Sequence, residues 1–434
     1  MATVTLSSPS APSRYTEIRM SVGRPDLTTD LDGLLSMPEI REAAGWFAAN
    51  KAWLQEQQIA VCRVPAPTFL EEQRAEHMRA LFTTLGYQSR IDPAGNTIAS
   101  LRLDSKAPVV VLSAHLDTVL SPRRPSDIQV EPDGTLRGPG VADNGSGLAA
   151  LLALASVLRN LKQFGWPYDL LFVANVGEEG EGNLTGMRYL CTDSDFAGRI
   201  AGVLVLDGPG HERITCRALA SRRYELLFQG RGGHSWSDFG TVNPVHALAR
   251  ATALFADSNN PIRNQFAERY SLNIGVIHGG TTVNSIPQSA TAKVDIRSEN
   301  ESIIDALSRS LGRCVEQAVN IEHQQATRGR LTARVREIGS RPGGRLPDDS
   351  PLLSASYAVD RQLGIASVLD ISSTDANIPL SLGIPSISIG TGGSGAGAHT
   401  TEEWYRPDNR DLGLRRAYFI LCAMLCGIAL PSTK

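Results

Sequence analysis

A chain of 434 residues exceeds what one hydrophobic core ordinarily serves, so two domains are expected, one inserted in the other. With 42% hydrophobic and 20% charged residues, a formal charge of -3 and no basic block, the composition argues against a nucleic-acid or membrane-surface partner, and no window of 18 apolar residues marks a membrane span. Chemistry on a small molecule is what remains. The six cysteines (Cys62, Cys191, Cys216, Cys314, Cys422, Cys426) are scattered without a CxxC and read as free thiols. The first 15 residues have neither a charged start nor an apolar run, which argues against a signal peptide, so a reducing cytoplasm is expected.

Residues 1 to about 35 read as a loose arm. Helical spacing of apolar residues runs from Met37 to about Gln58, and a proline-broken stretch (Val64 to Thr68) precedes a second helix that carries Glu71 and Glu72 in its first turn and ends at Gly86. Short strands, Gln88 to Ile91 and Asn96 to Leu103, flank the turn Asp92-Pro93-Ala94-Gly95. Val109 to Leu112 is a β-branched apolar run of the buried parallel type and delivers His115 and Asp117 at its carboxyl end. Lying two apart, these residues point the same way, which lets a carboxylate hold the second nitrogen of the imidazole. Gly138-Pro139-Gly140 then presents Asp143 just before a helix from about Leu148.

The strand Tyr168 to Val176 ends in Gly177-Glu178-Glu179-Gly180, and the strand Ala201 to Leu206 ends on Asp207. From Arg222 the pattern becomes strand, helix (Pro244 to about Asp257), strand (Tyr270 to Ile277), strand (Ser289 to Arg297), helix (Ser302 to about Val319) and strand (Thr332 to Ile338). That order is the signature of a ferredoxin-like sandwich. A Gly/Pro/Asp-rich linker, Gly339 to Ser350, leads back to the first domain, which resumes with the strand Ile384 to Ile389, a glycine-rich loop ending at His399, and a closing helix from Asp411. The fold class is thus α/β, with a central, mostly parallel sheet and an inserted ferredoxin-like α+β domain. The expected division is an arm over 1–35, a first domain over 36–220 and 339–434, and the insertion over 221–338.

Collected, His115, Asp143, Glu178, Glu179, Asp207 and His399 offer two imidazoles and four carboxylates without a thiolate. Such a set suits two divalent ions sharing one carboxylate, with another carboxylate left as a base. An iron-oxygenase triad needs only three ligands, calcium does not take imidazoles, and structural zinc favours cysteines. The glycine-rich stretch Gly392 to Gly397, in the loop before His399, offers backbone donors along the substrate path, with Gly392 and Gly393 as candidate substrate contacts.

The segments SAHLDTV, GVADNGSGLAALLALA, VGEEGEG, VLDGPG, GRGGHSW and GAHTTEEW occur in the order and spacing of the co-catalytic zinc peptidase family that includes aminoacylase, carboxypeptidase G and peptidase T. The chain resembles that family from about residue 37 to its end. The resemblance implies His115, Asp143 and Asp207 on one metal and Asp143, Glu179 and His399 on the other, most simply zinc, with cobalt or manganese as alternatives. It implies Glu178 as the general base that deprotonates the attacking water, Asp117 as the partner of His115, and a cis peptide bond between Asp143 and Asn144. The inserted domain becomes a lid that pairs in a homodimer and sends His234 into the partner's site as an oxyanion donor, while Asn284 and Arg297 contact substrate, Arg297 at a carboxylate. NVGEEGEGNLTGMRYL and SSTDANIPLSLGIP look closest to the peptidase T side, which implies cleavage of di- or tripeptides. An N-acyl amino acid amidohydrolase is the alternative, and a catalytically silent binding homologue a lesser one.

Overall fold

The computed structural model describes residues 30–258 and 265–431. Its main sheet runs, in spatial order, Gln88–Ile91, Thr97–Ser100, Asp169–Asn175, Val109–His115, Ile200–Leu206, Ser386–Ile389, Arg213–Ala218 and Gly344–Arg345, with Val368–Ser372 also paired to Arg213–Ala218. The four middle strands from Asp169–Asn175 to Ser386–Ile389 are parallel neighbours. Towards both edges the pairing is largely antiparallel, so the sheet is mixed around a parallel centre. The reason is local: Gln88–Ile91 and Thr97–Ser100 are joined by a tight turn, and tight turns join only antiparallel strands.

Every residue of Val109–His115 is buried, because helices cover both faces of the sheet. The helix Gly145–Leu158 is apolar all round and buried along almost its whole length, packing on Lys51–Cys62 and on Val109–His115. The helix Arg410–Leu425 is likewise buried in the same core. One helix was expected from Met37 to Gln58. Two are present, Pro38–Ala49 and Lys51–Cys62, broken at Asn50, whose φ of -116° and ψ of 33° are not helical. The arm expected over 1–35 ends earlier: Leu31–Ser36 is a helix, capped by Asp30 through Gly33 N, and it buries Leu34 and Leu35 in the main core. The remainder of that expectation, residues 1–29, lies outside the described residues.

The second sheet has the order Tyr270–Gly279, Ser289–Ser298, Ala220–Gln229, Thr332–Arg341, antiparallel throughout. This is the ferredoxin-like arrangement. Ser289–Ser298 alternates buried and half-exposed residues, and its buried set (Ala292, Val294, Ile296) packs under the helices Pro244–Asp257 and Glu301–Gln325 in a core separate from the first. Its last strand runs beyond Ile338 to Arg341, so the start of the expected linker is strand. Ser221 pairs with Arg341, so the two chain crossings between the sheets lie side by side.

Candidate metal centre and substrate pocket

The parallel strands carry the candidate site at their carboxyl ends, where an open α/β sheet leaves a crevice. His115 is the last residue of Val109–His115, Glu178 and Glu179 follow Asp169–Asn175, and Asp207 follows Ile200–Leu206. Asp143 sits in the loop before Gly145–Leu158, and the Asp143–Asn144 peptide bond is cis. His399 is brought over by a small sheet in which Ser394–Ala396 and Trp404–Arg406 pair with each other, and the latter with Leu136–Arg137.

These elements converge. Asp143 Oδ1 lies 3.1 Å from His115 Nε2, and its Oδ2 lies 3.2 Å from His399 Nε2. His399 Nε2 is 2.8 Å from Glu179 Oε1, and His115 Nε2 is 3.9 Å from Asp207 Oδ1. Donor atoms of His115, Asp143 and Glu179 all fall within 4.8 Å of one another. His115 Nδ1 is 3.0 Å from the main-chain oxygen of Asp117 and 3.7 Å from its Oδ1, so the carbonyl is the closer partner, where the sequence suggested the carboxylate. The Asp117 carboxylate is already occupied. It accepts from Glu178 N at 2.9 Å, Glu179 N at 2.8 Å and Thr68 Oγ1 at 3.0 Å, and so holds the turn that carries both glutamates.

A cavity of about 540 Å³ opens over this cluster, lined by Asp143, Glu178, Glu179, Asp207 and His399, and on its far wall by Arg223 and Arg297 of the second sheet. Arg297 Nε is paired with Asp295 Oδ2 at 2.7 Å. Gly392 and Gly393 do not line it. Both are buried; a Cβ on Gly393 would meet Tyr405 Oη at 2.3 Å and one on Gly392 would meet the Arg410 backbone at 2.7 Å, so tight packing explains these glycines. Gly395, Ala396 and Ala398 supply the loop's part of the wall. His234 and Asn284 are also absent from the lining. They are exposed and neighbour each other at a separate two-stranded ribbon of the inserted domain (Gly233–His234 with Ser285–Ile286), where Ser235 N donates to Asn284 O at 3.0 Å and His234 pairs with Ser285. Around them Trp236, Phe239 and Val283 are 86%, 82% and 102% exposed.

Residues 96–242 match the model of Peptidase family M28, and residues 220–321 match the Peptidase dimerisation domain. The chain is 28% identical over 278 residues to the cytosol non-specific dipeptidase of Escherichia coli (strain K12), covering 57% of this chain and 54% of that protein. To a probable carboxypeptidase of Ajellomyces capsulatus it is 30% identical over 220 residues, 46% of this chain and 48% of that one. In fold it is similar to a tripeptidase from Staphylococcus aureus, with a TM-score of 0.67 at 20% identity, covering 86% of this chain and 98% of that one. The chain is thus similar to peptidases. It spans about half the length of the curated relatives it matches.

The electrostatics of the cluster test whether cations fit. Burial pushes Asp207 up to about 7, with the Asp143 charge adding and His115 opposing. Burial also pushes Glu178 well above the usual carboxylate range, against the pull of Arg341 and His115. Asp143 is held well below that range: the hydrogen bonds of His115 and His399 outweigh its burial. His399 is raised to about 10 by Asp143 and Glu179. So many buried carboxylates cannot all ionise unless positive charge enters, either as protons on the imidazoles or as cations. An imidazole-carboxylate set without thiolates, with Asp143 turning one oxygen to each histidine, fits divalent metal.

Three residues escaped the sequence reading. The Glu403 carboxylate, 3% exposed, accepts from Gly140 N at 2.7 Å, Ala142 N at 2.8 Å and Asp143 N at 2.9 Å, fixing the loop that aims Asp143. Asn144 Nδ2 donates to Leu206 O at 2.9 Å, and its Oδ1 accepts from Gly147 N and Gly208 N, tying that loop to the strand end before Asp207. Arg341, buried at the crossing between the sheets, places Nη1 3.1 Å from Glu178 Oε1 and 3.1 Å from Ser373 Oγ, and donates from Nη2 to Glu178 O. The only signals were the position of Glu403 four residues after His399 and an arginine in a linker; neither distinguishes a site residue from a solvated charge.

Proposed function

We propose that this protein is a metal-dependent hydrolase that cleaves amide bonds of small peptides, with two divalent ions, zinc first among them, held by His115, Asp143, Asp207, Glu179 and His399. The observation that carries the reading is Asp143, whose two oxygens reach two different imidazoles at 3.1 and 3.2 Å, as a bridging carboxylate requires. The dipeptidase and tripeptidase relatives support the substrate class. His115 and Asp207 lie on one side of Asp143, and Glu179 and His399 on the other. When bound, the cations supply Lewis-acid polarisation of the scissile carbonyl and acidify a water.

The chain's own groups do the rest. Glu178, beside the cluster and outside the ligand set, takes the proton of the attacking water and returns it to the departing nitrogen. Its position is over-determined: Asp117 holds its amide, and Arg341 holds its carboxylate and its carbonyl. Arg297, across the cavity, offers a guanidinium to the substrate carboxylate in exchange for its half-buried pair with Asp295. The matched dimerisation domain and the exposed Trp236, Phe239 and Val283 support a homodimer, in which His234 reaches the partner's cavity and donates to the developing oxyanion.

The test strips the protein with a chelator, reloads it separately with zinc, cobalt or manganese, and presents di- and tripeptides beside matched N-acyl amino acids. Loss of peptide hydrolysis on stripping and its return on reloading is the expected result. Turnover of N-acyl amino acids alone would assign the deacylase reading, and no turnover under any ion would overturn the hydrolase.

A further inference from the structure

One wall of the cavity has a side-chain pattern that the hydrolytic chemistry does not use. Thr215 on Arg213–Ala218 pairs across the sheet with Asp370 on Val368–Ser372 and with Ser388 on Ser386–Ile389. Directly paired residues share a sheet face, so Asp370, Thr215 and Ser388 form one polar row across three strands, and all three line the cavity that holds Glu178 and Glu179. Their neighbours Ile214 and Ile389 are core residues, so hydrophobic packing fixes which face the row takes. Arg213, two residues before Thr215, lines the same cavity.

The hydrogen bonding of this row is incomplete. Thr215 Oγ1 donates to Asp370 Oδ2 over a long 3.5 Å, and Arg213 Nη1 stands 3.8 Å from the same oxygen with its side chain 60% exposed. Ser388, a buried residue that lines the cavity, has no side-chain hydrogen bond to another of the described residues. A loose, exposed pair of this kind contributes little by itself and exchanges readily for a ligand. It presents a donor and an acceptor side by side, with a spare hydroxyl next to them. An aliphatic side chain would add no partner to these loosely paired groups and would displace their water, and an acidic one would face the Asp370 carboxylate. A carboxamide satisfies both partners: its oxygen accepts from Arg213 and its N–H donates to Asp370.

We propose that Arg213, Thr215, Asp370 and Ser388 form a specificity subsite for a carboxamide side chain, so that the preferred peptides carry glutamine or asparagine. This rests on the hydrolase reading above and names its substrate class. The test compares X-Ala and Ala-X peptides in which X is Gln, Glu or the near-isosteric Met, using the metal-loaded enzyme. In one of the two series kcat/KM for Gln is expected to exceed Met and Glu by on the order of 10- to 100-fold, the worth of hydrogen bonds to charged groups. Arg213→Met should bring Gln and Met together, and Asp370→Asn should raise Glu relative to Gln. Equal rates for Gln and Met in both series, or ratios that neither substitution moves, would overturn the subsite. Calorimetric binding of the same peptides to metal-loaded Glu178→Gln protein reads the subsite without turnover. Selective binding of Gln peptides to this variant, with no hydrolysis of any peptide by the metal-loaded wild-type protein, would refute the hydrolase and keep the subsite; unselective binding would refute the subsite alone.

Discussion

Removing the Glu403 carboxylate is predicted to weaken both the fold and metal binding, although no part of Glu403 belongs to the proposed ligand set. Its two oxygens accept three main-chain amides at 2.7, 2.8 and 2.9 Å, and the amides belong to Gly140, Ala142 and Asp143. Hydrogen bonds to a charged group contribute roughly 1.5–3 kcal/mol each, so the gross gain is about 5–9 kcal/mol. Burial offsets part of it, as the upward push on the Glu403 carboxyl indicates. Taking away one partner of a buried charged set typically costs about 3–5 kcal/mol, and Glu403→Ala is expected in that range. Glu403→Gln is gentler, since its remaining oxygen serves either the Gly140 amide or the Ala142 and Asp143 pair, while the new NH₂ faces a donor; the loss should be about 1–3 kcal/mol. Because the loop aims Asp143, affinity for zinc in a competition with a chromogenic chelator should fall about 10- to 100-fold in both variants. Urea midpoints of the metal-stripped proteins read the stability term separately. A wild-type midpoint together with wild-type zinc affinity in Glu403→Gln and Glu403→Ala would refute the view that this carboxylate holds the site.

Glu178→Gln should keep its metal and lose nearly all turnover, whereas Glu179→Gln should lose metal; equal metal content and equal residual rates would show the two roles misassigned. In the metal-stripped protein His399 is raised from 6.5 to about 10 by Asp143 and Glu179, so its contribution to stability is complete below about pH 6.5 and disappears as pH rises through about 10. A urea-midpoint series over that window should show the decline in stripped protein and lack it in stripped His399→Gln; matching slopes would remove His399 from the account. Arg341→Ala should reduce kcat far more than it changes KM, and added guanidinium should restore part of the rate, since the cation would again satisfy Glu178 and Ser373; a loss seen only in KM would contradict a positioning role. His234→Ala and Glu178→Gln subunits, each expected to be inactive alone, should on mixing regain about half the normal activity per mixed dimer, because one site then carries both defects and the other none. No recovery despite proven subunit exchange would place His234 outside the partner's site.

The chemistry-bearing ends of the strands were legible from residue type alone. Val109–His115, Asp169–Asn175 and Ile200–Leu206 each carry a continuous apolar stretch (Val109 to Leu112, Leu170 to Ala174, Ile200 to Leu206), and burial on both faces follows from that composition, as does the delivery of His115, Glu178, Glu179 and Asp207 to one edge. The alternating strands and the helices of the inserted sandwich were equally local, each written in the period of its own apolar residues. What local pattern could not carry was long-range pairing. Glu403 meets Gly140 across 263 positions of chain and Arg341 meets Glu178 across 163, and nothing near either residue distinguishes an anchor from a solvated charge. The same limit blurred the glycine reading within the stretch Gly392 to Gly397: Gly395 and Ala396 line the cavity, but only the packed Arg410 backbone and the Tyr405 ring decide that Gly392 and Gly393 fill a tight core contact instead. His115 shows the division within one residue. Sequence put a carboxylate two positions away, whereas the folded chain turns that carboxylate to the amides of Glu178 and Glu179 and leaves the main-chain oxygen to the imidazole, because buried amides must find an acceptor and Asp117 is the one within reach.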